Sequence, residues 1–290
     1  MVQHKIIIKN PKTEFGKWEK QNVGVVSRHG FTYGKYTVKA KLTELLNKDN
    51  VWNGLTNAIW LITQGGEEWN YRRACNKEGY MGNYYGGVKD QRVKESGYTE
   101  IDFEILKTVT TCPSYSFPPV KFYDKPNQTN VRTWNLTLAD ELLLNDENIN
   151  VTCTNWDLAC WEPEKFAAGC QEISYNNQFF EPQRWDKTHR GLTERSYHSD
   201  DKLFGSDYYY FQIEWKPTEI IWRIGPEKNK LFVVGYMNNT ISSIPNNQML
   251  MNITQEFHPT KFWPGSPYDQ ENIPFPKSDY IGEIYEFTIE

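Results

Sequence analysis

A period of two recurs along this chain. Short runs rich in β-branched and aromatic residues stand at Tyr33–Lys41, Thr56–Thr63, Tyr98–Leu106, Tyr208–Lys216, Glu219–Ile224, Lys230–Tyr236, Gln248–Thr254 and Gly282–Ile289. Turn clusters separate them. In one run Ile101, Phe103 and Ile105 alternate with Glu100, Asp102 and Glu104. That spacing sends successive side chains to opposite faces of a strand. Many short strands of this kind predict an all-β sandwich or barrel. Helical periodicity is scarce: only Thr137–Asn145 and Pro163–Ala168 can each make a short helix or turn.

The 290 residues suit one undivided all-β domain, 1–290, able to bury a sizeable core. Two stretches break the strand spacing. Residues 64–97 are rich in Gly and Tyr, but their glycines do not follow a strand and open a helix as a nucleotide loop must. Residues 107–205 are irregular and rich in Pro and Asn. Long insertions in a compact domain are usually functional rims. A formal net charge of −5 argues against a nucleic-acid backbone as partner. No run of about 18 apolar residues exists, so no membrane span is expected. Aromatic residues reach 15% in an otherwise polar chain, and rings serve either as core or as stacking platforms.

The first eight residues hold only Ile6, Ile7 and Ile8 as an apolar run, short of the roughly 7–15 of a secretory leader. The chain is either cytosolic or begins after a removed leader. The second reading fits better, giving an expected secreted, cell-surface or periplasmic location. Of the five cysteines, Cys75, Cys112, Cys153, Cys160 and Cys170, none lie at zinc-ligand spacing. A disulfide inside 153–170 and buried free thiols are both open. Five Asn-x-Ser/Thr sequons occur in so Asn-rich a chain that they carry no reading.

The sharpest motif is Glu100-Ile101-Asp102-Phe103-Glu104. On a strand all three carboxylates share one face, while Ile101 and Phe103 enter the core. The Cα atoms of Glu100 and Glu104 then lie roughly 13 Å apart. On a concave sheet the two side chains can tilt inward toward the roughly 5–5.5 Å carboxyl separation of a retaining glycosidase. Three clustered like charges cannot all ionise cheaply, so at least one pKa should rise. A protonated acid beside an ionised nucleophile is what glycoside cleavage requires. The other reading of the motif is an exposed strand face with alternating charge, at some cost in mutual repulsion.

The flanks decide between them. Ser27-Arg28-His29-Gly30-Phe31-Thr32-Tyr33-Gly34-Lys35-Tyr36-Thr37-Val38-Lys39-Ala40-Lys41 precedes Asn57-Ala58-Ile59-Trp60-Leu61-Ile62 and then the triplet. Later come Phe211–Trp222, Ile244-Pro245, Met249-Leu250-Met251-Asn252, Trp263-Pro264-Gly265 and a closing strand Ile284–Ile289. In order and spacing the chain resembles glycoside hydrolase family 16, the family of lichenases, laminarinases, xyloglucan transglycosylases, agarases and carrageenases. The resemblance covers about residues 24–106 and 206–290.

It implies a β-jelly-roll sandwich of two curved antiparallel sheets with long loop insertions and a glycan cleft across the concave face. By the family's motif Glu100 resembles the nucleophile, Glu104 the general acid/base and Asp102 the carboxylate that assists them. One residue rather than two between Asp102 and Glu104 looks like the unbulged lichenase and xyloglucan-transglycosylase form, which favours a β-glucan. Tyr98 shares the triplet's face and can stack on a sugar, and Trp60 resembles an aromatic sugar platform, with a core Trp as its alternative. Lys39 keeps a cation where relatives place an Arg, whereas Thr37 departs from a Glu. Asn252 fits a cleft-lining Asn. Thr254 departs from a Trp there, and Gln255, Phe257 and His258 can substitute.

Trp69, Tyr71, Tyr84, Tyr85, Trp134, Trp156, Trp161 and Trp185 in the insertions can wall the cleft. No cofactor is required. The structural calcium of some relatives uses an Asp where this chain has Ile284, so no metal is predicted. The expected activity is that of a retaining, endo-acting hydrolase working as a monomer on a β-linked polysaccharide or oligosaccharide. A transglycosylase using the same site and a non-catalytic glycan-binding jelly-roll are the alternatives.

Overall fold

A computed structural model describes residues 4–12, 22–45, 55–63, 99–107, 149–157, 163–184, 187, 191–197, 208–246, 248–257 and 279–290. The strands within them are β1 (Ile6–Asn10), β2 (Val23–Val26), β3 (Gly34–Lys41), β4 (Leu55–Thr63), β5 (Thr99–Lys107), β6 (Ile149–Asp157), β7 (Gly169–Cys170), β8 (Ile173–Tyr175), β9 (Gln178–Phe180), β10 (Gln183–Arg184), β11 (Gly191–Tyr197), β12 (Tyr209–Trp215), β13 (Glu219–Gly225), β14 (Phe232–Asn238), β15 (Met249–Phe257) and β16 (Tyr280–Ile289). A 3₁₀ turn at Pro163–Lys165 is the short helical element allowed there by the sequence. Thr137–Asn145 and the 64–97 stretch lie outside the described residues.

The strands form two curved antiparallel sheets, a jelly-roll sandwich. The six-stranded sheet runs β1-β16-β3-β12-β13-β14, and the eight-stranded sheet runs β2-β15-β4-β5-β6-β11-β10-β7. Between them lies one core, built from the inward half of each period-two run. Tyr36, Val38 and Ala40 of β3, Ile59 and Leu61 of β4, Ile101, Phe103 and Ile105 of β5, and Phe211, Ile213 and Trp215 of β12 are all buried in it. Phe103 meets Phe211 edge to face across the sandwich, with centroids 6.1 Å apart. The carboxylate strand is thereby anchored from below to the opposite sheet. Trp215 donates its indole N–H to the Pro245 carbonyl at 3.0 Å, so its one polar atom is satisfied in the core.

The 107–205 stretch is less irregular than its composition suggests. It supplies β6 and β11, which extend the eight-stranded sheet on one side of β5. In β6 Val151, Cys153 and Asn155 turn inward and alternate with Thr152, Thr154 and Trp156, of which only Trp156 is part-exposed. Thr and Asn read as turn formers, yet β-branched Thr fits a pleated, half-buried surface well. The same stretch holds the β8–β9 hairpin. Its Phe180, Ile173 and Tyr175 pack on Ile221 and Tyr236, on the face of the six-stranded sheet turned away from the core. Cys153 is a free, buried thiol, and Cys170 is disulfide-bonded to a partner outside the described residues.

Candidate active site

Strand pairing lays the site out as a grid. β5 lies between β4 and β6, with β15 beyond β4 and β11 beyond β6. Antiparallel register then aligns three rows across five strands. The first row reads Leu250, Ile62, Glu100, Trp156 and Gly191. The second reads Asn252, Trp60, Asp102, Thr154 and Thr193. The third reads Thr254, Ala58, Glu104, Thr152 and Arg195. Directly opposite residues share a face. Since Ile101, Phe103, Ile59 and Leu61 between the rows enter the core, the row members on β4, β5, β6 and β15 face outward.

This grid accounts for the electrostatics. Asp102 is central, between an indole and two threonines, and is only 6% exposed. Burial, then the charges of Glu100, Glu104 and Glu256, push its pKa well above the ordinary carboxylate range. Its hydrogen bond with Glu100 acts in the same direction, as expected when Asp102 is the donor. Glu100 sits between the apolar edges of Ile62 and Trp156. Burial first, with the charges of Glu104 and Glu256, pushes it up to about 8, against the lowering effect of its bond from Asp102. The two are a coupled pair joined by a hydrogen bond in which Asp102 donates and Glu100 accepts. Glu104 lies beside Thr152, whose hydroxyl donates to Glu104 Oε2 at 3.3 Å.

The rise in pKa expected of the triplet therefore falls on Glu100 and Asp102. Trp60 is half-buried between Asp102 and Asn252, and its indole N–H donates to Thr254 Oγ1 at 3.0 Å. Asn252 is on the outward face, 9% exposed, with Nδ2 donating to the Leu250 carbonyl at 3.3 Å. Trp156, named only among rings of an insertion, stands opposite Glu100. Period-two alternation through Val151 and Cys153 is the signal that locates it. Tyr98, His258 and the aromatic residues 69, 71, 84, 85, 134, 161 and 185 lie outside the described residues.

Two expected contacts are not brought to the triplet. Gln255 lies on the inward side of β15, with Met251 and Ile253, and is almost fully buried. Its Nε2 donates to Thr43 Oγ1. Neighbours along a strand face oppositely, so a Gln next to the outward Thr254 must turn in. Lys39 belongs to β3 in the six-stranded sheet. The core side of β3 is Tyr36, Val38 and Ala40, so Lys39 projects from the other face of the sandwich. There its Nζ sits 3.8 Å from the Tyr208 ring centroid. Thr37 shares that face and accepts from Gln212 Nε2 at 3.0 Å.

Sequence reading passed over Glu256. It stands two residues beyond Thr254 on the outward face, accepts that threonine's hydroxyl at 2.6 Å, and is a fourth acidic side chain near the triplet. Among the described residues no group of His, Cys, Asp and Glu is spaced to hold a metal ion. A cavity of about 290 Å³ lined by Tyr33, Lys35, Glu214, Trp215, Lys216 and Glu290 lies at the end of β12, away from the triplet. The triplet is placed by strand register on an outward sheet face, not by that cavity.

No protein-family model matches the chain, and no curated protein matches it. Solved structures do. A glycoside hydrolase family 16 endo-glucanase from Bacteroides ovatus, in complex with G4G3G-2F-DNP, superposes with a TM-score of 0.50 at 10% identity, covering 99% of this chain and 80% of that one. A second Bacteroides ovatus family 16 structure, with a G4G4G3G product, gives 0.49 at 10% identity over 100% and 82%. The kappa-carrageenase of Pseudoalteromonas carrageenovora, with a carrageenan oligotetrasaccharide, gives 0.46 at 11% over 98% and 79%. At such identities likeness speaks to the fold alone, and that of the first structure supports the jelly-roll architecture.

Proposed function

We propose that this protein is a retaining, endo-acting glycoside hydrolase that cleaves a β-linked polysaccharide by double displacement. The observation that carries the reading is the outward row of Glu100, Asp102 and Glu104 on one sheet strand, with the indoles of Trp60 and Trp156 opposite its members. Carboxylates two apart on a strand project together, and indoles beside them suit the apolar faces of a sugar.

In the first step Glu104 gives its proton to the leaving glycosidic oxygen while the Glu100 carboxylate attacks the anomeric carbon. A covalent glycosyl ester on Glu100 results. Glu104, now ionised, takes a proton from the incoming water, whose oxygen displaces Glu100. Asp102 keeps its own proton and donates to Glu100. It thereby orients the nucleophile.

The test is trapping. An activated 2-deoxy-2-fluoro β-oligosaccharide should add one glycosyl mass, and the labelled peptide should contain Glu100. Glu100→Ala and Glu104→Gln should each lower kcat/KM on the substrate found in a polysaccharide panel by about 10³-fold or more, with unchanged folding. Wild-type-like cleavage by either variant overturns the assignment. A label on another carboxylate overturns the role given to Glu100.

A further inference from the structure

Beside the triplet runs a directed chain of hydrogen bonds. Trp60 Nε1–H donates to Thr254 Oγ1 at 3.0 Å, and Thr254 Oγ1–H donates to Glu256 Oε1 at 2.6 Å. Trp60 pairs across the sheet with Asn252, not Thr254; the residue opposite Thr254 is Ala58. To reach Thr254 the indole leans along the sheet toward the Ala58 position. Ala58 is an outward residue on the grid and yet only 4% exposed. A larger side chain there would block that path.

We propose that Thr254 and Glu256 are positioning residues that pin the Trp60 indole over Ala58 and so fix the sugar-facing wall of the cleft beside Asp102. The inference rests on the glycosidase reading for its consequence, though not for its geometry. Thr254 is well suited to the task. Its single hydroxyl proton goes to Glu256, which leaves the oxygen lone pairs for the indole. β-branching restricts its χ1. The bond to a carboxylate is of the short, charge-assisted kind, and polarising the hydroxyl this way improves it as an acceptor. The second torsion of a Trp on a sheet surface is otherwise broad. A ring already held in place loses less freedom when a sugar docks, so the effect belongs to binding more than to the chemical step.

The experiment follows the Trp60 indole proton by ¹H–¹⁵N NMR, identified as the resonance lost in Trp60→Phe, together with steady-state hydrolysis. Thr254→Val keeps the side-chain shape and removes both bonds. Its Trp60 indole proton should shift and exchange with solvent about fivefold faster, the effect of one lost hydrogen bond. KM should rise about three- to tenfold with kcat changed less. Thr254→Ser restores donor and acceptor and should recover both readouts. In a Trp60→Phe background, Thr254→Val should raise KM no further. Should Thr254→Val fail to fold, Thr254→Ala takes its place.

An unchanged indole resonance and KM in the Thr254 variants overturn the proposal, as does an equal rise in KM with and without Trp60. A wild-type protein that cleaves no β-linked polysaccharide sinks the glycosidase reading instead. The indole resonance then still decides whether the hydrogen-bonded chain from Trp60 to Glu256 exists.

Discussion

Asp102 shows how a single residue's place in a grid sets its chemistry. Of its four neighbours Glu100 and Glu104 stand on its own strand and Trp60 and Thr154 on the strands to either side, and burial with three nearby carboxylates pushes its pKa well above the ordinary carboxylate range. The same forces push Glu100 up to about 8. Both groups bind protons more tightly in the folded than in the unfolded chain. Their contribution to stability is fully present below the ordinary carboxylate range and is lost as pH rises toward about 8. The loss runs at up to about 1.4 kcal/mol per pH unit for each proton concerned. Urea midpoints measured between about pH 5 and about pH 8 should fall in wild type and fall less in Glu100→Gln, which cannot ionise. Identical slopes in the two proteins refute this account.

Glu256 offers a kinetic test at the same scale. Its charge acts on Glu100 and Asp102 of β5, the strand that also carries Glu104. The outward residues Ala58, Trp60 and Ile62 of β4, and Val23–Val26 of β2, bring none. Glu256→Gln keeps an acceptor for Thr254 but deletes one of the charges that raise Glu100. The acid limb of kcat/KM, which reports ionisation of the Glu100–Asp102 pair, should therefore move to lower pH. A pH–rate profile checks it: a limb that stays in place or moves up removes Glu256 from the electrostatics of the site.

At the scale of elements, the central strand β5 is held by its inward half so that its outward half can carry charge. Phe103 is the pivot, fully buried and edge-on to Phe211 of the facing sheet. Phe103→Ala should cost about 3–5 kcal/mol, measured by chemical denaturation, and should lower activity through misplacement of Asp102 and Glu104 on either side. A cost under about 1 kcal/mol would mean that β5 is anchored elsewhere.

Elements also show what the chain made legible. Period-two alternation in Ile101, Phe103 and Ile105 marks β5 and its outward acids correctly. Carried through β15, the same rule places Asn252, Thr254 and Glu256 outward with Met251, Ile253 and Gln255 inward. Gln255 is polar, which made it look like a cleft residue, but strand parity outranks polarity and Thr43 satisfies it inside. β6 is hidden for a related reason, because its Asn and Thr residues resemble loop composition although their alternation is strand-like.

For the whole molecule, the separation of the two sheets is the governing dimension, and one close contact tests it. At Gly235 of β14 an added Cβ would come within 2.8 Å of both Cβ and Sγ of Cys153 on β6. The two strands belong to opposite sheets. Gly235→Ala should push them apart at a cost of about 1–3 kcal/mol, seen as a lowered urea midpoint. An unchanged midpoint would show that the sandwich yields there without strain.

Which sheet each strand joins decided the fate of Lys39. Alternation predicts that Lys39 opposes Tyr36 and Val38, but each sheet of a sandwich has an outward face, and these point opposite ways. Only the pairing of β3 with β12 and β16 sends Lys39 away from the triplet and onto Tyr208. Local alternation is a property of neighbouring residues, so the amino-acid sequence alone determined the strands of the 33–41, 56–63, 98–106 and 208–254 stretches that alternate cleanly, and the shared face of Glu100, Asp102 and Glu104. Register between strands far apart in the chain is a property of the closed sheet. Tertiary structure alone therefore decided that Trp156 stands beside Glu100, that Trp60 reaches Thr254 and Glu256, and that Lys39 does not belong to the cleft.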